Sequence, residues 1–230
     1  MNRVDVVVVG GGQAALATAY FLRRAGIAFA ILDDQPSPGG AWQHGWDSLH
    51  LFSPAQWSSL PGWLMPPSPD PYPSREHVVR YLSEYERRYQ FEVHRPVRVE
   101  SVSPTSDGLL VVTNRGEWLT HAVVSATGTW RHPYVPHYPG TELFAGIQAH
   151  SSHYRAPTLL QNKRVLVVGG GNSGAQILAE AVRLRVDGVE RGQREGDAVL
   201  PQVVADGHLA AEGVPAVLNR HPGGIIREGV

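Results

Sequence analysis

The sequence predicts an α/β fold, and three observations support this. Two segments, beginning near residues 4 and 165, each combine a short β-branched run, a glycine-rich turn and apolar residues at helical spacing. Such β-branched runs are typical of strands buried on both faces of a parallel sheet. Short alternating stretches between the two segments carry turn signals and predict antiparallel strands. We therefore expect two strand–helix units and an antiparallel β-meander.

The composition narrows the function classes. A chain of 230 residues provides for one or two domains, and its net charge of −1 includes no basic run. We therefore expect neither nucleic acid nor an anionic membrane as a partner. The sequence has no cysteine, which excludes disulfides, thiolate metal sites, iron–sulfur clusters and thiol catalysis within it.

The first residues imitate a signal peptide, with an arginine, an apolar run and an A-x-A pattern at 15–17. Asp5 and three consecutive glycines interrupt the apolar stretch that a signal peptide needs. No apolar run approaches the roughly 20 residues of a membrane span. A cytoplasmic protein is expected.

The first unit is predicted as a strand at 4–9, a helix at 14–25 ending at Gly26, and a second strand at 27–32. A proline-rich segment at 54–73 then precedes a helix with Ser74 as N-cap and Glu76 in its first turn. Further strands are predicted at 97–102, 109–113, 117–119, 122–130 and 165–168. Beyond about residue 184 the pattern decays, and no strand is predicted there.

The first glycine-rich turn has the pattern G-x-G-x-x-A, formed by Gly10, Gly12 and Ala15. Gly10 suits a tight turn, Gly12 lets backbone approach a pyrophosphate, and Ala15 lets helix and strand pack closely. Asp33 follows the second strand about 20 residues downstream, where a carboxylate can accept hydrogen bonds from ribose hydroxyls. This combination indicates a Rossmann-like dinucleotide site, with a glycine turn used only for packing as the alternative.

The second glycine-rich turn repeats the pattern with Gly169, Gly171 and Gly174. Its strand and helix are clear, but Asp187 comes too early to be the ribose acid. Two such turns in one chain imply two dinucleotides, and the economical pair is FAD in the first and NADPH or NADH in the second.

Between the two turns the sequence FAGIQAHSSHY fills the pattern F-x-G-x-x-x-H-x-x-x-(F/Y/W) with Phe144, Gly146, His150 and Tyr154. With this pattern, PGGAW at 38–42, PYP before a helix and ATGTW at 126–130, the sequence resembles the flavin-containing monooxygenases. It is most similar to their compact bacterial branch, related to the Baeyer–Villiger enzymes. The resemblance covers about residues 1–183.

The resemblance implies an FAD-binding domain at 1–160 and a partial, incomplete Rossmann-like NAD(P)-binding domain at 161–230. It implies oxidation of a thioether, an amine or a ketone by oxygen through a C4a-hydroperoxyflavin, with reducing equivalents from NAD(P)H. Small-molecule substrate and oxygen are then the partners, and a homodimer is a candidate assembly. The residues that it assigns to FAD are Gly10, Gly12, Gln13, Ala15, Asp33, Gly40 and Trp42, and those that it assigns to NAD(P) are Gly169, Gly171, Asn172, Ser173 and Gly174.

No side chain is assigned as nucleophile or base, and Phe52 and Trp42 are the flavin-side candidates. Phe52 stands where many members of the family place an asparagine. Members also continue for a hundred residues or more, so a truncated or degenerate dinucleotide-binding module without turnover is an alternative. A metal enzyme using His150 and His153 is a further alternative, which two histidines alone support weakly; no metal is expected.

Overall fold

A computed structural model describes residues 1–137, 139–145, 147–161, 163, 165–187 and 208–211. The chain forms two compact units, Met1–Arg131 and His132–Val230. Within the described residues no helix is both long and apolar enough to cross a membrane.

The strands are β1 (Asn2–Val9), β2 (Phe29–Leu32), β3 (Val93–His94), β4 (Val99–Thr105), β5 (Gly108–Thr113), β6 (Gly116–Ser125), β7 (Gln148–His150), β8 (Val165–Val167) and β9 (His208–Ala211). The α-helices are α1 (Gln13–Arg24), α2 (Arg75–Arg88) and α3 (Asn172–Asp187). Short 3-10 turns lie at Gly40–His44, Ala55–Trp57, Thr141–Leu143, Ser151–His153 and Pro157–Leu160.

The first unit contains a six-stranded sheet in the order β3-β2-β1-β6-β5-β4. β3, β2, β1 and β6 are parallel, whereas β6, β5 and β4 form an antiparallel meander. This confirms the predicted α/β class, with a Rossmann-like strand–helix–strand unit and an added meander.

The long strand β6 corrects one prediction. The sequence indicated separate strands at 117–119 and 122–130, but a single strand runs through Gly116–Ser125 and ends there. Its first half, Gly116 to Thr120, pairs antiparallel with β5, and the stretch from Trp118 to Ser125 pairs parallel with β1. One strand can serve both arrangements because its two edges bond to different neighbours.

Two apolar layers sandwich the parallel strands. On one face Val8 and Ile31 pack with Leu16 of α1 and with Leu82 and Tyr85 of α2. On the other face Val7 and Leu32 pack with Val111 and Trp118 of the meander. Alternate residues of β1 therefore enter different layers, as the two-residue period of a strand requires.

Helix α2 begins as predicted. The Ser74 side chain accepts a hydrogen bond from the backbone N–H of His77, and Glu76 lies in the first turn. Both features stabilise the unsatisfied N–H groups at a helix start. On the buried side of α2, the Tyr81 hydroxyl donates to the Trp63 carbonyl and the Tyr85 hydroxyl to the Pro61 carbonyl. The tyrosines thereby fasten the proline-rich segment to the helix.

The second unit contains the predicted strand, glycine-rich turn and helix as β8, residues 169–171 and α3. Its three-stranded sheet has the order β7-β9-β8, and both pairings are antiparallel. Strand β9 lies in the part of the sequence for which no strand was predicted, and α3 continues to Asp187, beyond the point where the pattern weakens. The boundary between the units follows Arg131, whereas the functional domains expected at 1–160 and 161–230 stay a prediction.

Candidate dinucleotide-binding site

The first glycine-rich turn connects the carboxyl end of β1 to the start of α1. Gly10 has a φ of +109°, and a β-carbon there would lie 2.4 Å from the carbonyl oxygen of Ala126. Gly10 is required both by its left-handed backbone and by the close approach of the chain leaving β6. Ala15 is fully buried under the turn, so the small side chain predicted for close packing is in place.

The start of α1 is suited to an anion. Gly12 is its N-cap with extended backbone, no side chain caps the helix, and no acidic residue lies in the first turn. The free N–H groups and the positive end of the helix dipole therefore favour a phosphate. Because Gly12 has no side chain, the backbone N–H groups at the start of α1 remain accessible to a ligand.

The PGGAW segment packs directly on this turn. Gly40 has a φ of +54°, and a β-carbon there would lie 2.7 Å from the α-carbon of Gly12. The indole N–H of Trp42 donates to Oε1 of Gln13 at 3.3 Å. The structure thus brings together Gly10, Gly12, Gln13, Gly40 and Trp42, all of which the family resemblance assigned to FAD.

Asp33 lies under the same turn, at the end of β2, and it is 3% exposed. A β-carbon on Gly11 would lie 2.2 Å from Oδ2 of Asp33. The carboxylate also accepts from Nε of Arg95 at 2.7 Å and, over a longer distance of 3.4 Å, from the backbone N–H of Gln35. A carboxylate offers about four acceptor positions, so Asp33 retains capacity to accept from a hydroxyl.

Arg95 was not identified from the sequence. Its Nη1 and Nη2 atoms donate to the two carboxylate oxygens of Glu86 at 2.7 and 2.8 Å. Burial of the guanidinium disfavours its charge, but the hydrogen bonds to Glu86 and Asp33 outweigh that effect and raise the pKa of Arg95. Arg95 therefore stays cationic between the two carboxylates.

Phe52, unlike Asp33 and Arg95, is mostly exposed to solvent. It lies on the segment before the proline-rich stretch, and 62% of its surface is exposed. Trp42 is half-buried, and among the neighbouring tryptophans Trp46 is buried while Trp57 is 77% exposed. The roles given to Phe52 and Trp42 stay predictions.

The second glycine-rich turn, in the second unit, has similar local geometry. Gly169 has a φ of +127°, and the backbone N–H of Ala175 donates to the carbonyl of Gly171 where α3 begins. Gly174 is buried, while Asn172 at the helix start is exposed. No acidic residue lies in the first turn of α3. This end of α3 is therefore also suited to a phosphate.

The residues of the pattern F-x-G-x-x-x-H-x-x-x-(F/Y/W), which we call the fingerprint, lie in the second unit. Phe144 is 7% exposed and Tyr154 is fully buried, whereas Gly146 lies outside the described residues. The Tyr154 hydroxyl donates to Oε2 of Glu180 on α3 at 2.5 Å. His150 Nδ1 accepts from the backbone N–H of Ser152. Glu180, which connects the fingerprint to the helix of the second turn, was also missed from the sequence.

No group of three or more His, Cys, Asp or Glu side chains lies close enough to hold a metal ion among the described residues. His150 is the N-cap of the turn Ser151–His153, and its Nδ1 lies 2.9 Å from Oγ of Ser152.

Comparison with known proteins identifies the family. Residues 7–202 match the family described as pyridine nucleotide-disulphide oxidoreductase. The chain belongs to this family. Its members use FAD and NAD(P)H, which agrees with the two dinucleotides expected from the two turns.

The similar proteins include several monooxygenases. A solved structure of a flavin-containing monooxygenase from Stenotrophomonas maltophilia is 57% identical, with a TM-score of 0.77, over 80% of this chain and 56% of that one. An uncharacterized CzcO-like oxidoreductase from Geobacillus kaustophilus is 39% identical over 177 residues, 77% of this chain and 51% of the relative. The indole-3-pyruvate monooxygenase YUCCA6 of Arabidopsis thaliana is 35% identical over 180 residues, 74% of this chain and 43% of the relative.

These findings confirm the resemblance to flavin-containing monooxygenases drawn from the sequence. The chain spans about half the length of the curated relatives it matches.

Proposed function

We propose that the protein is an FAD-dependent monooxygenase driven by NADPH or NADH. Its substrates would be small molecules with a soft heteroatom, such as a thioether sulfur or an amine nitrogen, or ketones. The observation that carries the proposal is the presence of two glycine-rich turns, each between a strand end and a helix start. The fingerprint Tyr154 is hydrogen-bonded to the helix that follows the second turn.

The residues of the first turn fit FAD. The close backbone packing that Gly10 and Gly40 permit shapes the turn, and the uncapped start of α1 suits a pyrophosphate. Asp33 is positioned at the end of β2 to accept from a ribose hydroxyl. The bound flavin would supply the redox chemistry, taking a hydride from the nicotinamide and passing electrons to oxygen.

The protein's contribution on this reading is binding, orientation and exclusion of water. The helix starts of α1 and α3 hold the two pyrophosphates, and the residues assigned to them are those named above. Phe52 and Trp42 would lie on the flavin side, where apolar side chains keep water from the reacting atoms. No side-chain nucleophile or base is required. The cytoplasmic location and the homodimer expected from the sequence belong to the same proposal.

The test supplies the purified protein with FAD, NADPH or NADH, and air, together with one probe at a time. The probes are a methyl aryl sulfide, a tertiary amine and a cyclic ketone, and the products are analysed by mass spectrometry under isotopically labelled oxygen. We expect one labelled oxygen atom in the product for each nicotinamide oxidised. If every probe is recovered unchanged while all the oxygen consumed appears as hydrogen peroxide, the monooxygenase proposal is wrong. Bound FAD without nicotinamide oxidation would instead favour the binding module without turnover.

A further inference from the structure

A buried guanidinium connects the first glycine-rich turn to helix α2. The Arg95 side chain is 9% exposed and donates from Nε to Asp33 and from both Nη atoms to Glu86. All three hydrogen bonds are between 2.7 and 2.8 Å. Two carboxylates thus share one cation, and the side chains of Asp33 and Glu86 are only 4% and 15% exposed.

The sheet topology explains why these residues meet. Asp33 directly follows β2 and Arg95 directly follows β3, and these two strands are parallel neighbours in which Leu32 pairs with His94. Residues that follow neighbouring parallel strands emerge at the same edge of a sheet, which is where ligands bind in open α/β folds. The backbone N–H of Asp33 donates to the His94 carbonyl at 3.0 Å, which fixes the register at this edge.

The pair also lies against the phosphate-binding turn. A β-carbon on Gly11, the central residue of the G-x-G pattern, would lie 2.2 Å from Oδ2 of Asp33 and 2.7 Å from Nη2 of Arg95. The carboxylate and the guanidinium therefore occupy the space that any other residue at 11 would fill. The position of the Asp33 carboxylate therefore depends both on Arg95 and on the absence of a side chain at Gly11.

We propose that Arg95 is a positioning residue for the adenosine ribose of FAD, acting through Asp33; this rests on the proposed FAD site. Arg95 donates from Nε to Oδ2 of Asp33 and so fixes the direction of that carboxylate, which can then accept from the ribose hydroxyls. Glu86 in turn fixes the plane of the guanidinium by accepting from both Nη atoms. Without the cation, two buried carboxylates would lie close to the turn that binds the negatively charged pyrophosphate.

A lysine cannot replace this arrangement. The guanidinium holds its N–H donors in one fixed plane. Here Nε donates to Asp33, and both Nη atoms donate to Glu86. An ammonium group could compensate charge, but it could not donate to both carboxylates with the same geometry. Arg95→Lys should therefore retain the fold and lose part of the ribose recognition.

The test measures binding and not turnover. FAD affinity is measured by quenching of flavin fluorescence, and ADP or 2′,3′-dideoxy-ADP is then used to displace the bound FAD. ADP carries the ribose hydroxyls and the dideoxy compound does not, so the ratio of their affinities isolates hydroxyl recognition from pyrophosphate binding. The proteins compared are the wild type, Arg95→Met, Arg95→Lys and Asp33→Asn. The matched control is Arg98→Met, since the Arg98 side chain is 63% exposed and pairs with Glu100 only at 3.4 Å.

The wild type should bind ADP at least about tenfold more tightly than the dideoxy compound, as expected for hydrogen bonds to a charged group. This preference should fall to about one in Asp33→Asn and Arg95→Met, fall in part in Arg95→Lys, and persist in Arg98→Met. A change of stability alone would weaken the binding of both ligands equally and leave the ratio of their affinities unchanged. Circular dichroism shows whether each variant is folded. If Arg95→Met does not fold, Arg95→Lys gives the deciding ratio.

A wild-type preference that persists undiminished in the folded Arg95 variants would overturn the inference while leaving the FAD site intact. Equal wild-type affinity for the two compounds would also overturn it, because Asp33 would then not recognise the ribose. A wild type that binds neither FAD nor ADP overturns the proposed function itself, which is a different result.

Discussion

The hydroxyl of Tyr154 donates to the carboxylate of Glu180 at 2.5 Å, and the Tyr154 side chain is fully buried. Burial, together with the hydrogen bond to Glu180, raises the pKa of the Tyr154 hydroxyl above its ordinary range. The hydroxyl therefore remains a donor at any physiological pH. This contact joins the fingerprint segment to helix α3, which begins at the second glycine-rich turn.

Replacing Tyr154 by Phe should destabilise the protein. The change removes a buried donor to a charged acceptor, which costs about 1–3 kcal/mol. The measurement is urea-induced unfolding followed by circular dichroism, with Tyr134→Phe as control because Tyr134 is 78% exposed. If the two substitutions shift the unfolding midpoint equally, the Tyr154–Glu180 contact does not stabilise the fold.

Stability should also fall in alkaline solution because of three tyrosines. Burial raises the pKa of Tyr81, Tyr85 and Tyr154. Since their folded-state values exceed the unfolded value of about 10, their contribution to stability is fully present below about pH 10 and is lost as the pH rises above it.

An absorbance titration of tyrosinate tests this directly. We expect these three hydroxyls to ionise later than the remaining tyrosines, and together with unfolding. The variant Tyr85→Phe should show one late-titrating group fewer, while Tyr134→Phe should show one early group fewer. Simultaneous titration of all the tyrosines in a protein that is still folded would contradict the assignment.

Gly10→Ala should prevent the first turn from forming properly. Gly10 has a φ of +109°, and a β-carbon would lie 2.4 Å from the Ala126 carbonyl. Gly116 has a similar φ of +116°, but a β-carbon there has no neighbour within 4 Å. Gly116→Ala is therefore the matched control, because it carries the backbone strain without the contact.

In both alanine variants, backbone strain should lower the free energy of unfolding by about 1 kcal/mol or more. Gly10→Ala should lose more, and it alone should weaken FAD binding. Thermal unfolding and flavin titration measure the two effects separately. Equal FAD affinity in the two variants would show that the approach of β1 to Ala126 is unrelated to the site.

Phe52→Asn restores the amide that many family members carry. Because Phe52 is 62% exposed, the free energy of unfolding should change by no more than about 0.5 kcal/mol. If Phe52 lies on the flavin side, the amount of hydrogen peroxide released per nicotinamide oxidised should change. Leu64→Asn, at a residue 71% exposed on the proline-rich segment, is the control that should leave this ratio unchanged.

The sequence was most informative where residue type determines backbone geometry. Gly10, Gly12 and Ala15 carry the turn in their spacing, and Ser74 marks the start of α2, because turns and helix caps depend on residues close in sequence. The parallel sheet could likewise be predicted from β1 and β2, because the apolar runs that form these strands are short and continuous in the sequence. The family resemblance assigned Gly40 and Trp42 to FAD, whereas their packing against the turn was seen only in the structure.

The missed features depend on contacts between distant segments. Arg95 was overlooked because β3 contains only Val93–His94, too short to show a strand pattern, and the next strand was predicted to start at 97. Glu180 has no distinguishing neighbours along α3, and its role appears only when Tyr154 is placed against it. The sequence predicted two strands in place of β6 because no regular alternation of buried and exposed residues runs along it. Its first residues pair with β5, and its last residues pair only with β1.

The proposed flavin site is tested most directly by the visible absorption spectrum of the protein after incubation with FAD and removal of free flavin. NADPH, or NADH in a parallel sample, is then added without oxygen, and air is admitted afterwards. We predict a retained flavin band that bleaches with the nicotinamide and returns as oxygen is consumed. A protein that stays colourless after incubation with FAD, although circular dichroism shows it folded, would contradict the proposed FAD site.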